Sequence, residues 1–442
     1  MRNTRVISLV AAVAVLIIGG AAVFFFLFEG EDPSLSLSPE PRAIGKQTNF
    51  TLSATDGRSG LREVRVEVVQ GGRTASVLTE SYPRGVHKVE KAVEIVPSSL
   101  GLQEGDATLR VVVRDRSWRP GGNRRVFEAR TPVDTRPPGI TVLSRFHYLN
   151  QGGAGLVVFS ASEELLRSEL EVGDLRFPCL PLQDRVHFSL FAVPLDASSK
   201  TPISLVAEDL AGNKARTSFP YRIKPKQFRK DNIQITDDFL NRVMPYFMDR
   251  DPSLRGEMRD VFLKVNNELR KESEAKIREL CRGSSPERLW KGPFHRMDNA
   301  KPMAGFGDRR SYFFGGREVD QQTHLGVDLA SLALSPVKAA NRGKVSFCGE
   351  LGIYGNTVIL DHGWGLYSMY SHLSRIDAKL GQVVEKEEIL GITGSTGLAG
   401  GDHLHYAMLV SGVYVNPIEW WDPHWIEDNV DGKLGGAISD GR

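Results

Sequence analysis

The alternation of apolar and polar positions divides the chain into four stretches of different character. Positions 6–28 carry no charge. As a helix at about 1.5 Å per residue, those 23 residues reach roughly 34 Å, enough to cross the ~30 Å hydrocarbon core of a bilayer. From 33 to about 225 the pattern shortens to alternating or β-branched runs at 49–54, 63–69, 109–113, 155–160 and 203–207, separated by turn pairs such as Asp56-Gly57 and Gly71-Gly72. Such runs predict strands. Over 226–282 the period lengthens. Met258, Phe262, Val265 and Leu269 form one apolar stripe with Ile277 and Leu280 beyond, and Asn266, Glu268, Arg270, Lys271 and Glu272 take much of the other face. This spacing predicts a helix. Asp251-Pro252 reads as its N-cap with proline in the first turn, and Gly283-Ser284-Ser285-Pro286 as its end. Beyond it, Gly343, Gly349, Gly352, Gly381, Gly391, Gly394 and Gly397 cut the remainder into short strands.

The β-rich stretch carries a weak repeat. A strand over 109–115 is followed by Gly122-Asn123, and one over 204–209 by Gly212-Asn213, each leading into a returning strand. Asp134-Thr135-Arg136-Pro137-Pro138 separates the copies and cannot be helical, since consecutive prolines remove donors and fix φ. The layout resembles two tandem immunoglobulin-like sandwiches, over 33–135 and 137–225, suited to spacing or adhesion. His87, His147 and His187 stand alone there and read as structural or solvated.

The flanks of the apolar run orient it. Arg2 and Arg5 precede it, and Glu29, Glu31 and Asp32 follow. Basic before and acidic after places a tail of residues 1–5 in the cytoplasm and the bulk of the chain in the periplasm or extracytoplasmic space, beyond the inner membrane. A cleaved signal peptide would have a shorter apolar core ending at small residues. This run ends in Phe24-Phe25-Phe26-Leu27-Phe28, so an uncleaved anchor over 6–28 is expected.

Composition narrows the function. The 442 residues suggest about three domains at roughly 150 residues each. Lys plus Arg is 56 against 54 Asp plus Glu, a net +2 that gives no support to nucleic-acid binding. Cys179, Cys281 and Cys348 lie far apart, so no cysteine zinc cluster or C-x-x-C redox motif is available.

Histidine is concentrated at the C-terminal end, with seven of ten after residue 290. His324 and Asp328 are four apart, and His403 and His405 are two apart; in strands such pairs project to one face. His372 lies between them in Tyr370-Ser371-His372-Leu373. A compact antiparallel sheet could bring all five side chains onto one floor. Two imidazoles and a carboxylate with an open fourth position form the hydrolytic zinc pattern. Zinc lowers the pKa of its water to about 7 and polarises a scissile carbonyl, while the other imidazoles suit proton handling. There is no H-E-x-x-H helix. Spacing alone leaves open which three of the five would bind metal. His362 reads as structural, and His295 and His424 as bystanders. Asp308, Arg309 and Arg310 suit a loop-fixing ion pair better than a substrate groove, and Trp420, Trp421 and Trp425 suit packing better than a sugar platform.

The motifs His324-Leu325-Gly326-Val327-Asp328, Tyr354-Gly355-Asn356-Thr357-Val358, Tyr370-Ser371-His372-Leu373 and Asp402-His403-Leu404-His405, in this order, resemble the lysostaphin/LytM family of zinc metallopeptidases. Upstream Gly305-Phe306-Gly307-Asp308-Arg309 and downstream Val415-Asn416-Pro417 also fit, so the resemblance covers about 304–422, a quarter of the chain. One departure is Ser335, where the family usually has glycine before Pro336-Val337; it touches a loop shape rather than the metal motif. The resemblance implies one zinc ion bound by His324, Asp328 and His405. It also implies that His372 and His403 act as the catalytic pair, and that the substrate is the peptide part of bacterial peptidoglycan.

The expected architecture is therefore mainly β. It comprises a transmembrane helix, two immunoglobulin-like sandwiches, a helical connector over 226–300, an antiparallel LytM-type peptidase domain over 301–425, and a tail over 426–442. The connector could pack on its neighbour, cover the groove, or dock regulatory proteins of the cell envelope. Two alternatives to an endopeptidase are a non-catalytic LytM-fold activator of cell-wall amidases and a structural or adhesion protein.

Overall fold

The computed structural model describes residues 2–440; Met1 and residues 441–442, at the outer ends of the two expected tails, lie outside the described residues. The fold is mainly β, with one long N-terminal helix. One compact unit runs to Gly139 and includes Glu163–Arg167 and Ala207–Ala215; the other takes Ile140–Ser162, Ser168–Val206 and the chain from Arg216 onward.

In the first unit, the helix Arg2–Leu27 contains a 19-residue stretch, Ile7–Phe25, long and apolar enough to cross a membrane. Behind it stands an antiparallel sandwich. One sheet orders Ser34–Ser38, Thr48–Thr55 and Lys88–Ile95; the other orders Arg73–Ser81, Leu61–Gln70, Thr108–Asp115 and Arg124–Arg130. The alternation read from the sequence is what closes it. Phe50, Leu52 and Ala54 from one sheet and Val64, Val66, Val68, Leu109, Val111 and Val113 from the other point inward to a shared core.

The second unit opens with the sheet Leu180–Gln183, Val186–Ala192, Ala154–Ala161 and Ile140–Val142. A strand, Lys230–Gln234, then pairs in parallel with Arg309–Phe314, inside a stretch whose pattern reads as helical connector. The helices follow at Asp237–Met248 and, continuous through a π-helical turn, Met258–Leu280. Asp251-Pro252 does not start the second helix, as the cap rule predicts. Asp251 Oδ1 accepts from the Ser253 amide at 2.8 Å and closes a turn, Gly256 adopts φ 115°, and the helix begins beyond it with Glu257 as N-cap. The apolar stripe does face inward, with Phe262, Val265 and Ile277 buried.

The rest of the second unit is organised by an eight-stranded antiparallel sheet. Its order is Lys301–Ala304, Val327–Ala330, Leu404–Val410, Leu366–Ser371, Asn356–Asp361, Gly343–Glu350 and Val383–Val384, with Val413–Val415 paired onto Leu404–Val410. Every residue of Leu366–Ser371 and of Leu404–Val410 is buried, so these central strands read as continuous runs rather than alternations. Trp420, Trp290, Phe294 and Trp425 form an aromatic cluster with ring centroids 5.1–5.7 Å apart along its contacts. The C-terminal stretch read as a tail continues as helix to Asp440, with Ile426, Val430 and Leu434 buried at intervals of four. That short periodicity is lost in the sequence among Glu427, Asp428 and Asp431.

Glu419, at the start of this C-terminal segment, is buried and accepts from Asn150 Nδ2 at 2.7 Å and the Ala154 amide at 2.8 Å. Burial pushes its carboxyl from an ordinary 4.5 up to about 7, against the pull of those two donors. A raised carboxyl pKa means the folded state binds the proton more readily. Its contribution to stability is therefore complete below about 4.5 and is lost as pH rises through about 7. Glu419→Gln should flatten the fall in thermal midpoint between those two pH values; an unchanged slope in a pH series of melting curves would assign the dependence elsewhere.

Candidate metal centre and active site

The eight-stranded sheet sets the positions of the five side chains. Asp328 on Val327–Ala330 pairs directly opposite His405 on Leu404–Val410, and Ser371, the last residue of the next strand, also faces His405 in register. His324 lies in the turn before Val327–Ala330, His403 just before Leu404, and His372 just after Ser371. His372 adopts φ 65°, a left-handed conformation that turns the chain out of the strand.

Three donor atoms converge. His324 Nε2 is 2.9 Å from Asp328 Oδ1 and 3.0 Å from His405 Nδ1, and His405 Nδ1 is 2.9 Å from Asp328 Oδ1. All three residues are buried. His324 Nδ1 lies 2.9 Å from the Gly305 carbonyl, which can only accept, so neutral His324 carries its proton there and turns a lone pair into the cluster. Lone pairs and a carboxylate oxygen meeting at one point lack enough protons to satisfy them, which suits a cation. The donor set of two imidazoles and one carboxylate fits zinc. Its bonds of about 2.0–2.1 Å would place tetrahedral ligands about 3.3 Å apart, close to the spacing observed.

The other two imidazoles stand beside this cluster. The His372 ring is 4.9 Å from that of His403 and 5.8 Å from that of His405, centroid to centroid. His403 Nε2 lies 3.6 Å from Asp328 Oδ1. His372 Nδ1 contacts the Thr396 carbonyl and His403 Nδ1 the Gly401 carbonyl, both at 2.8 Å. The same tautomer argument leaves both Nε2 atoms free as acceptors. Burial, then the neighbouring His403 and His405, hold the His372 imidazole well below its usual pKa. Burial likewise lowers His405 to about 4. At His403 burial pulls down, but contact with Asp328 prevails and the value is raised. Burial alone would raise Asp328; the adjoining His324 ring first, then its contacts with His324, His403 and His405, override it and hold the carboxyl well below its usual range.

Supporting contacts come from residues that sequence reasoning weighed differently or passed over. Arg310 Nη2 pairs with Asp328 Oδ2 at 2.9 Å, leaving Oδ1 for the cluster. Asp308 fixes its loop, accepting from the Gly305 amide at 2.8 Å and pairing with Arg229 at 2.9 Å. Arg309 bonds Thr323 Oγ1. His362 is buried away from the cluster, between the Arg342 carbonyl and Ser368 Oγ. From the connector, Arg242 Nη2 reaches the Gly400 carbonyl at 3.1 Å, next to the residue that orients His403. Nothing in residue type marks the orienting carbonyls of Gly305, Thr396 and Gly401. Gly326 stands in the sequence only as part of a motif, and its role is spatial. A Cβ there would lie 2.6 Å from the His405 ring and 2.7 Å from the Tyr406 carbonyl.

Residues 322–417 match the description of peptidase family M23. The chain is 40% identical over 95 residues to the DD-carboxypeptidase/endopeptidase Mpg of Neisseria meningitidis serogroup B, covering 22% of each chain. It is 36% identical over 96 residues to the peptidoglycan DD-endopeptidase ShyA of Vibrio cholerae, again 22% of each. The chain thus spans 22% of the length of these two relatives. Among solved structures, the catalytic domain of lysostaphin from Staphylococcus simulans aligns at 29% identity and a TM-score of 0.24, covering 31% of this chain and 96% of that one.

Gly326→Ala should push the His405 ring off its position and weaken zinc binding about 10–100-fold, the usual cost of disturbing a ligand's support. Competition with a chromophoric chelator would measure it, with circular dichroism as the check on folding. Wild-type affinity in the variant would show that the close approach at Gly326 does not position His405.

Proposed function

The C-terminal part of the chain, over residues 322–417, is a domain of peptidase family M23, and from that premise we propose that the protein is a membrane-anchored zinc endopeptidase that hydrolyses peptide bonds of bacterial peptidoglycan outside the cytoplasmic membrane. The observation that carries this reading is the convergence of His324 Nε2, Asp328 Oδ1 and His405 Nδ1 within 2.9–3.0 Å, with the lone pairs of two further imidazoles beside it. Those three atoms would hold the ion. A zinc ion there would lower the pKa of water toward neutral and polarise the scissile carbonyl.

The chain's own residues do the remaining work. His372 and His403, each with Nδ1–H given to a carbonyl, turn Nε2 toward the attacking water, and one of the two rings accepts its proton. The protonated ring then donates to the tetrahedral oxyanion and returns the proton to the departing amine nitrogen. Arg310 on Asp328 Oδ2 orients that carboxylate. The sheet register, which pairs Asp328 with His405, and the carbonyls that hold His372 and His403 set these groups before substrate arrives, so little reorganisation accompanies the reaction. The apolar helix Ile7–Phe25 is read as the anchor, with the N-terminus inside; the β modules that follow then act as spacers and the connector as part of the groove wall.

The ligand and proton-transfer roles separate by mutation. His405→Ala should lose both zinc and activity. His403→Ala should retain zinc while the rate of muropeptide cleavage falls about 100-fold or more. Zinc content by elemental analysis and product release by mass spectrometry give the two readouts. Equal loss of metal in both variants would overturn the assignment, and stoichiometric zinc in a wild type that cuts no wall peptide would favour the amidase-activator reading.

A further inference from the structure

The first β module contains another set of converging side chains, of different chemistry. Glu29, Asp56 and Asp115 are 2%, 6% and 0% exposed, and each brings a carboxylate oxygen to within 4.8 Å of the other two. Among the described residues no lysine, arginine or histidine forms an ion pair with any of them; Arg58 pairs with Glu31 instead, at 3.9 Å. Backbone amides orient the carboxylates. Ser59 N donates to Glu29 Oε1 at 3.0 Å, Gly60 N to Asp56 Oδ1 at 2.5 Å, and Asn123 N to Asp115 Oδ1 at 2.7 Å. Amide dipoles align three anions but do not cancel their charge, and buried charge of one sign needs a counter-ion.

Ser59 gives an independent indication. It is 8% exposed, and although its amide touches Glu29, its hydroxyl oxygen is buried and has no hydrogen-bond partner. Three carboxylates, with the unpartnered hydroxyl of the residue whose amide holds Glu29, make an all-oxygen donor set, with no imidazole or thiolate to favour zinc. Calcium takes six to eight such oxygens in flexible geometry, whereas magnesium keeps several waters and suits a buried protein cage poorly. We propose that Glu29, Asp56 and Asp115, with the Ser59 hydroxyl, bind one calcium ion.

The location gives the ion a task. Glu29 is the second residue beyond the helix Arg2–Leu27, while Asp56 and Asp115 belong to the sandwich. Asn123 Nδ2 already joins these parts, lying 2.7 Å from Asp115 Oδ2, 3.2 Å from the Glu29 carbonyl and 3.0 Å from that of Glu31. Bound calcium adds an ionic clasp between the end of the apolar helix and the first module. The Gly-Asn repeat builds a related arrangement once more. Asn213 N and Nδ2 reach the two oxygens of Asp209 at 2.9 Å, Nδ2 also reaches the Asp134 carbonyl at 2.9 Å, and Asp134, Glu163 and Asp209 converge. Asp134 and Glu163 are only half-buried there, which makes the first set the tighter site.

The test uses the full zinc-loaded chain in detergent, dialysed free of calcium and then titrated with CaCl2 by calorimetry and by thermal melting. The expected result is saturable binding with a midpoint of about 0.1–1 mM and a rising melting temperature. Glu29→Gln and Asp56→Asn should each weaken binding about tenfold or more while leaving zinc content unchanged, and circular dichroism confirms that each variant folds. Asp209→Asn should keep the binding. Wild-type chain that shows neither heat nor a melting shift up to about 10 mM calcium overturns the proposal. So does undiminished binding in Glu29→Gln, or loss in Asp209→Asn alone.

Discussion

The C-terminal chemistry depends on one register. Asp328 pairs opposite His405 across neighbouring antiparallel strands, and that pairing brings Oδ1 and Nδ1 to 2.9 Å. Side chains alternate faces along a strand, so a slip of one residue would send one of the pair to the opposite face of the sheet. Burial enforces the register. Leu404, Tyr406, Ala407, Met408 and Leu409 are all buried around His405, so the strand has no solvent-facing side on which an error could be tolerated. The site therefore inherits its accuracy from the core rather than from its own loops.

Backbone carbonyls provide the next layer of control. Gly305, Thr396 and Gly401 each take the Nδ1 proton of one histidine, which fixes the tautomer and leaves Nε2 available. Because a carbonyl only accepts, this arrangement selects the tautomer without adding charge to the site. Charge enters through Arg310 alone, on the outer oxygen of Asp328, away from the three converging atoms. That contact orients the carboxylate while its inner oxygen stays available.

These layers explain what could be read from the chain. The spacing of His403 and His405, and of His324 and Asp328, pointed to one shared site, and the structure brings those four residues together with His372, although His324 reaches it from the turn before Val327–Ala330 rather than from a shared strand. The sandwich strands were legible because each exposes one face and so alternates. The parts that were not legible have physical reasons. The start of the second helix was misread because Asp-Pro also initiates turns, and Gly256 after it postpones the helix. The strand Lys230–Gln234 was missed because its parallel partner lies some 80 residues away, and only that pairing stabilises it. The helix after Trp421 hid a spacing of four among acidic residues. Carbonyl acceptors leave no trace in residue type.

Two buried polar clusters illustrate how donor chemistry, more than charge, decides what a protein holds. At His324, Asp328 and His405 a single carboxylate is joined by two imidazole nitrogens, and an arginine pairs with its outer oxygen. That composition suits a borderline-soft ion with few ligands and an open corner. At Glu29, Asp56 and Asp115 every donor is oxygen and, among the described residues, no cationic side chain forms an ion pair with them, which suits a hard ion with many ligands and no reactive position. The difference matches the work proposed for each segment. A catalytic ion must leave room for substrate, whereas an ion that braces a chain leaving a helix gains by being enclosed. The first set is held on and beside the strands of the sheet, while the second gathers where a helix, a turn and the end of a strand meet and backbone amides aim the carboxylates inward.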